Sequence, residues 1–309
     1  MGEKFLKELL EILPEEEILL HEPMRNHTTF RVGGEAEYFL MPSAETEVRG
    51  LLRLFRKHRI PFFAVGNGSN LLIGDGGYDG AILHFGKNFS QIGEPEKTEK
   101  GIRIHVQAGA LLAGAARYAA EHSLTGMEFA AGIPGSVGGA VSMNAGAYGG
   151  EMKQIVESVQ ILTSEEEMKT LSGGEMKFAY RHSAVQEDGS IILSVDLLLR
   201  RGDKEEIDAR MRELAARRRE KQPLEFPSAG SIFKRPEGYF AGKLIMEAGL
   251  AGFQIGGARV SEKHCGFIVN VGDASAWDIV SVIRHVQDTV MKKYAVMLEP
   301  EVRFAGRFD

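Results

Sequence analysis

The sequence predicts an α+β protein in two parts, a long αβ region followed by a smaller one. Three observations predict this. Apolar stretches of strand length are interleaved with amphipathic stretches of helix length. Glycine is in excess, 37 of 309 residues, about 12% where roughly 7% is usual, and the excess is clustered. A strongly charged helical stretch over Lys204–Lys221, closed by Pro223, divides the chain.

In chain order, Phe5, Leu6, Leu9, Leu10 and Leu13 share one helical face. Lys7, Glu8 and Glu11 break that segment, so it lacks the continuous apolar core of a signal peptide. Leu6 breaks the myristoylation pattern. Glu35–Pro42 reads as a strand and Ser43–His58 as a helix, with Ser43 as N-cap, Glu45 and Glu47 in the first turn and Arg56 and Lys57 in the last. Phe62–Val65, Leu71–Ile73 and Ala81–Phe85 read as short strands separated by turns. Ile102, Ile104 and Val106 alternate as in a strand, and Leu111–His122 is an alanine-rich helix. Val156–Thr163, Met168–Leu171 and Ser190–Arg200 form a β-rich run, the last with a mixed apolar alternation. The charged helix follows, its Arg217-Arg218-Arg219 run a solvated face. Beyond Pro223 come a loop over Phe226–Pro236, a helix over Ala241–Ala248, a strand over Phe267–Val271, a helix over Ser275–Tyr294 and a strand over Glu301–Phe304. Ala276, Ile279, Val282, Ile283, Val286 and Val290 share a face of that long helix.

Composition narrows the function classes. Lys and Arg total 37 against 43 Asp and Glu, a net charge of −6 that argues against nucleic-acid binding. Cys265 is the only cysteine, which excludes an intrachain disulfide, a multi-cysteine zinc site and an iron–sulfur cluster held by this chain alone. No metal site is expected. No apolar run approaches the ~20 residues that span a bilayer, so the expectation is a soluble, cytoplasmic protein without a membrane partner. Walker, nucleophile-elbow and His-Glu-x-x-His signatures are all missing. The histidines are dispersed, and His105, in its alternating strand, reads as structural.

Two glycine clusters remain. Gly66-Asn67-Gly68-Ser69-Asn70-Leu71 lacks the third glycine of a dinucleotide fingerprint and leads into a strand, which disfavours a Rossmann site. Its backbone can instead form a nest of N–H groups for a pyrophosphate. Gly132-Ile133-Pro134-Gly135-Ser136-Val137-Gly138-Gly139 could add a second wall of donors, with Ile133 and Val137 flanking a flat ring. Spacing alone leaves open whether these are ligand cradles or tight turns.

Read together, the motifs carry a resemblance. Asn26-His27-Thr28-Thr29-Phe30-Arg31-Val32-Gly33-Gly34, Gly66–Leu72, Gly132–Gly150, Tyr180-Arg181-His182-Ser183, Ser228-Ala229-Gly230-Ser231-Ile232-Phe233-Lys234-Arg235-Pro236 and Leu298-Glu299-Pro300-Glu301-Val302 occur in that order. The ordered set resembles the UDP-N-acetylenolpyruvoylglucosamine reductase (MurB) family. The compact Phe226–Lys243 segment resembles its type II branch.

The resemblance implies a PCMH/VAO-like FAD-binding fold: subdomains over 1–85 and 86–205, the second completed by 296–309, and a smaller αβ substrate-binding domain over 206–295. It implies non-covalent FAD, NADPH as co-substrate, a UDP-sugar substrate and a role in peptidoglycan precursor synthesis. Cofactor-binding positions carried over are Gly66, Asn67, Gly68, Ser69, Asn70, Leu71, Gly132, Ile133, Pro134, Ser136, Val137, Gly139 and Asn144. Tyr180, Lys234 and Lys263 are carried over as substrate contacts. The sequence leaves the oligomeric state open, with a monomer as the simplest expectation.

In that family's reaction, hydride reaching an enol ether conjugated to a carboxylate throws charge onto the carboxylate. A guanidinium suits that charge, and Arg181 matches the family's arginine; without the other motifs it would read as a strand-end salt bridge. Ser231 matches the proton donor, with Ser228 as its rival nearby. Glu301 matches the catalytic glutamate, which helps an accumulating anion if its pKa is raised so that it is protonated; Glu299, two residues earlier, is its rival on the same strand face. Ala251 stands where the family often has lysine, and Cys265 reads as a packed thiol. Two other readings stay in view: a flavoenzyme of the same fold acting on a hydroxy acid or sugar, and a non-catalytic nucleotide-binding protein.

Overall fold

The structure, a computed structural model, describes residues 2–308, with side chains from Lys4 onward. It comprises two compact units. One takes the chain up to Leu19, then Tyr38–Asn67 and Ala81–Arg217; the other takes Leu20–Glu37, Gly68–Gly80 and the chain from Arg218 onward.

The first unit has two cores. One lies on an antiparallel sheet ordered Met168–Ser172, Val156–Leu162, Ile191–Arg201, Ile102–Gln107 and Glu96–Lys97, with Leu124–Thr125 paired to the end of the central strand. The mixed alternation of that central strand has a physical cause. Ile192, Val195, Leu197 and Leu199 pack into this core, whereas Ile191 and Leu193 pack into the second. A strand buried on both faces needs no polar side. His105 Nδ1 donates to the Asp196 carboxylate across this sheet at 2.8 Å, in keeping with its structural reading.

The helix Leu112–Glu121 buries Ala115, Ala116, Ala119 and Ala120, small residues that let it lie close to its neighbours. A helix over Val137–Ser142 was not expected, because two glycines depress helix propensity. Tertiary contacts impose it. Val137 and Gly138 donate to the Ala110 and Ala108 carbonyls at 2.8 Å, and a Cβ on Gly138 would fall 2.7 Å from that of Ala108.

The second core joins the helices Gly2–Leu10 and Glu45–His58. Phe5, Leu9 and Leu13 are buried, but Leu6 is only partly buried and Leu10 is exposed, so the expected five-residue face is narrower. Lys57 and His58 grip Glu8 at 2.8 and 2.9 Å. Those bonds lower its pKa to about 2. The helix Glu45–His58 starts differently from expectation. Ala44, not Ser43, is the N-cap, and Glu47 reaches back to accept from the Ser43 and Ala44 amides at 2.7 and 3.1 Å.

In the second unit the helix Ala276–Tyr294 buries all six residues of its predicted stripe. They pack with the helix Ala241–Glu247 and a three-stranded antiparallel sheet ordered Gln254–Ile255, Ala258–Val260, Ile268–Asn270. Arg303–Ala305 pairs in parallel with Leu71–Ile73. The last strand therefore begins after Glu301, which with Glu299 lies in the preceding extended stretch rather than on a strand face. The strand expected at Ala81–Phe85 runs instead over Tyr78–His84. None of the described helices is long and apolar enough to cross a membrane.

Asp75 supplies the second unit's clearest long-range polar tie. Its carboxylate accepts from the Ala276 and Trp277 amides at 2.8 and 2.9 Å, at the start of the long helix. Asp75→Ala is expected to lower stability by about 1–2 kcal/mol, measured by urea unfolding. An unchanged midpoint would mean that Ser275, which accepts from Asp278 N at 3.0 Å, caps that helix sufficiently alone.

Candidate functional site

Within the first unit the two glycine clusters meet. A Cβ on Gly66 would collide with Ser136 Oγ. Asn67 Nδ2 donates to the Pro134 carbonyl. Ser136 is buried and caps the helix Val137–Ser142, accepting from Gly139 N at 3.3 Å. Gly66, Asn67, Pro134 and Ser136 are thus one assembly, and Gly66 has to be glycine because the serine hydroxyl occupies the space of a side chain.

Tyr180 and Arg181 stand on a tight turn of the same unit, not at a strand end. Ala179 and His182 exchange backbone bonds of 3.1 and 3.2 Å, and Arg181 is left-handed, φ 56°. Its guanidinium carbon lies 5.1 Å from the centre of the exposed Tyr180 ring. Buried polar groups brace the turn. Asn144 Nδ2 donates to the Ala179 carbonyl at 3.1 Å and to Glu151 at 2.8 Å, while its Oδ1 accepts from Lys153 N at 2.9 Å. Ser183, fully buried, donates to the Ser142 carbonyl at 2.7 Å. Asn144, carried over as a cofactor position, makes three internal bonds with its amide, and the one to the Ala179 carbonyl also braces the arginine turn.

Within the second unit, Gly68 is left-handed, φ +58°, and a Cβ there would collide with the His27 carbonyl. Thr29 N donates to the Gly68 carbonyl at 3.2 Å. The Thr29 hydroxyl is buried and has no partner among the described residues. The backbone amides of Ser69 and Asn70 also make no hydrogen bond among the described residues. Asn70 Nδ2 donates to the Glu301 carbonyl at 3.1 Å, and Arg303 N donates to the Asn70 carbonyl at 3.0 Å. Glu301 N donates to the Ile232 carbonyl at 2.6 Å. Ser231 forms a bridge to Phe267. Ser231 and Glu301, 70 positions apart, are therefore carried on adjacent backbone.

Glu299 takes another role: it receives Lys234 Nζ at 3.2 Å, with both side chains exposed. Lys263 Nζ donates to the Arg219 carbonyl at 2.8 Å and lies 3.9 Å from Glu225. His264 is a neighbour that the sequence reading gave no task. A Cβ on Gly266 would lie 3.3 Å from Ser231 Oγ and 3.1 Å from His264 Nδ1, so the ring and the hydroxyl flank one glycine. Burial lowers the His264 pKa, and Nδ1 accepts from Gly266 N at 3.2 Å, which leaves the proton of the neutral ring on Nε2. Cys265 is buried and its pKa is raised by that burial, as a packed thiol requires. A cleft of about 910 Å³ elsewhere in this unit is lined by Arg25, Arg31, Glu35, Asp75 and Asp273 among others, and by none of the predicted site residues.

The open amides of Ser69 and Asn70 beside an unsatisfied hydroxyl supply the donors that a phosphate-binding loop requires. Comparison with known families agrees: residues 36–172 match the FAD binding domain, and residues 222–305 match the C-terminal domain of UDP-N-acetylenolpyruvoylglucosamine reductase. The chain is 50% identical to the UDP-N-acetylenolpyruvoylglucosamine reductase of Agathobacter rectalis, with 100% of each chain covered. It is 47% identical to that of Caldanaerobacter subterraneus, with 99% of each covered. The crystal structure of the Thermus caldophilus enzyme superposes with a TM-score of 0.78 at 35% identity, covering 94% of this chain and 98% of that one. The chain belongs to the UDP-N-acetylenolpyruvoylglucosamine reductase family. It has the FAD-binding fold and is an FAD-dependent oxidoreductase. A looser likeness to alkyldihydroxyacetonephosphate synthase, TM-score 0.51 at 14% identity, over 65% of this chain and 41% of that one, reflects the fold alone.

The residues present fit FAD. The buried Thr29 hydroxyl and the open Ser69 and Asn70 amides are donors awaiting acceptors, and phosphate oxygens are acceptors only. Gly68→Ala tests this. It forces a left-handed alanine against a carbonyl, at a strain of about 1 kcal/mol before the collision is counted. The expected protein is folded by far-UV circular dichroism but purifies with little yellow colour. Full flavin content would contradict the loop's role.

Proposed function

We propose that this protein reduces the enolpyruvyl group of a UDP-N-acetylglucosamine ether to the lactyl ether with NADPH, in the cytoplasm, as a step of peptidoglycan precursor synthesis. FAD, when bound, relays a hydride from NADPH to the substrate. The protein's own groups handle charge and protons. Arg181, permanently charged, faces the carboxylate on which negative charge builds. Ser231 delivers the proton to the adjacent carbon. Serine is a poor acid, but the carbon base it serves is strong, so orientation and water exclusion decide the rate. Glu301 supports this best when protonated. Gly66–Leu71 and Gly132–Gly139 hold the cofactor, Tyr180, Lys234 and Lys263 the substrate, and residues 206–295 form the substrate-binding region.

The observation that carries this reading is the adjacency of Ser231 and Glu301, tied through the Ile232 carbonyl and Asn70. It brings the backbone that carries a hydroxyl beside the backbone that carries a carboxyl group, both within the family's matching motifs. The test is NADPH oxidation followed at 340 nm with the purified yellow protein. Oxidation that depends on the enolpyruvyl UDP-sugar supports the proposal. A colourless protein, or NADPH consumption indifferent to that substrate, defeats it.

A further inference from the structure

Position 266 has no side chain, and two groups converge on the space that one would fill. A Cβ on Gly266 would lie 2.9 Å from His264 Cε1, 3.1 Å from His264 Nδ1 and 3.3 Å from Ser231 Oγ. The imidazole and the proposed proton donor therefore stand on the same face of one residue. The ring is held from several sides. Nδ1 accepts from Gly266 N at 3.2 Å. A Cβ on Gly242, in the first turn of the helix Ala241–Glu247, would lie 3.3 Å from Cε1, so the helix backbone comes close behind the ring. The Phe267 ring meets the imidazole edge-on, with centres 5.0 Å apart. Phe267 N donates to the His264 carbonyl at 2.9 Å and closes the turn. His264 N donates to the buried Ser261 hydroxyl at 3.3 Å.

We propose that His264 is the positioning residue of Ser231, setting the proton donor through the backbone of Gly266; this rests on the function proposed above. The connection runs through hydrogen bonds. The Gly266 N–H is committed to His264 Nδ1, and the Gly266 carbonyl accepts from Ile232 N at 2.8 Å. Ser231, immediately before Ile232, bridges to Phe267, immediately after Gly266. Such a restraint matters most at a glycine, whose backbone has more conformations to lose than that of any other residue. The Ser231 hydroxyl donates a long bond of 3.3 Å to the Phe233 carbonyl, a weak restraint by itself. The imidazole can do this work in one form. Nδ1 accepts while it carries no proton, so the ring proton belongs on Nε2. Burial, which lowers the His264 pKa, favours that neutral ring. Proton delivery to carbon is sensitive to such placement, since a shift of about 1 Å can cost about 10²-fold in rate.

The experiment compares the FAD-loaded parent protein with His264→Leu and His264→Asn. Leucine keeps bulk and removes the acceptor. The asparagine side-chain oxygen stands as many bonds from the backbone as Nδ1 and can accept from Gly266 N in its place. Stopped-flow absorbance follows each half-reaction, and its dependence on sugar concentration separates sugar affinity from the rate at saturation. His264→Leu is expected to slow saturated reoxidation by the enolpyruvyl sugar by about 10- to 100-fold. Its affinity for the sugar and its flavin reduction by NADPH should stay at parent values, and His264→Asn should recover most of the rate. Nitrogen-15 NMR of the histidine-labelled parent, with His264→Asn identifying the resonance, should place the ring proton on Nε2; this arm needs no folded leucine variant. Parent-rate reoxidation in His264→Leu, an equal loss in both variants, or a proton on Nδ1 overturns the proposal. So does a loss confined to sugar affinity, which would make His264 a substrate contact. A parent that the sugar does not reoxidise at all defeats the proposed function itself, so the parent's own trace tells the two failures apart.

Discussion

Ser231→Ala is expected to slow reoxidation of the reduced flavin by the enolpyruvyl sugar by about 10²- to 10⁴-fold, the range in which a positioned proton donor contributes. Reduction of the flavin by NADPH should keep its parent rate, because that step moves no proton through this hydroxyl. Stopped-flow absorbance at 450 nm separates the two. We assign this task to Ser231 rather than to Ser228. Ser231 bridges to Phe267 and immediately precedes Ile232, whose carbonyl anchors Glu301, and its hydroxyl donates a long bond of 3.3 Å to the Phe233 carbonyl. Ser228→Ala therefore serves as the control and should leave both half-reactions intact. Equal damage to both steps in Ser231→Ala would remove that residue from the proton-donor role.

What the sequence made legible was local. The long helix could be read from one apolar stripe because its periodicity and its Ser275 cap lie within a few residues of one another. The helix Val137–Ser142 could not, because its glycines oppose it locally and hydrogen bonds to Ala108 and Ala110 impose it. The strand Ile191–Arg201 looked ambiguous because its first residues are shared between two cores while the rest serve one. The candidate site divides in the same way. Ser231, Glu301 and Arg181 were picked out by ordered motifs, whereas nothing local signals that Glu301 would be held against residue 232. His264 was given no task for a related reason. Its nearness to Ser231 arises from a glycine without a side chain at position 266, which a motif records only as one more glycine.

Arg181→Ala is expected to depress the same oxidative half-reaction by about 10²- to 10³-fold, as removal of a group aimed at developing charge does elsewhere. Arg181→Lys should recover only part of the loss, since an ammonium keeps the charge but not the planar fork that matches a carboxylate. FAD content and reduction by NADPH should be unaffected; a variant altered only in FAD affinity would contradict the assignment. Asn144 provides an independent check. It is 1% exposed, and its Nδ2 holds the Ala179 carbonyl at the base of the turn that carries the arginine. Asn144→Ala leaves buried partners unsatisfied, so it should lower stability by about 1–3 kcal/mol. If the left-handed turn at Arg181 is what aims the guanidinium, Asn144→Ala should also slow reoxidation while the guanidinium itself remains. A destabilised protein with an unaltered reoxidation rate would show instead that the turn holds its shape without this brace, the bonds of Ser183 and Gln186 being among those that remain.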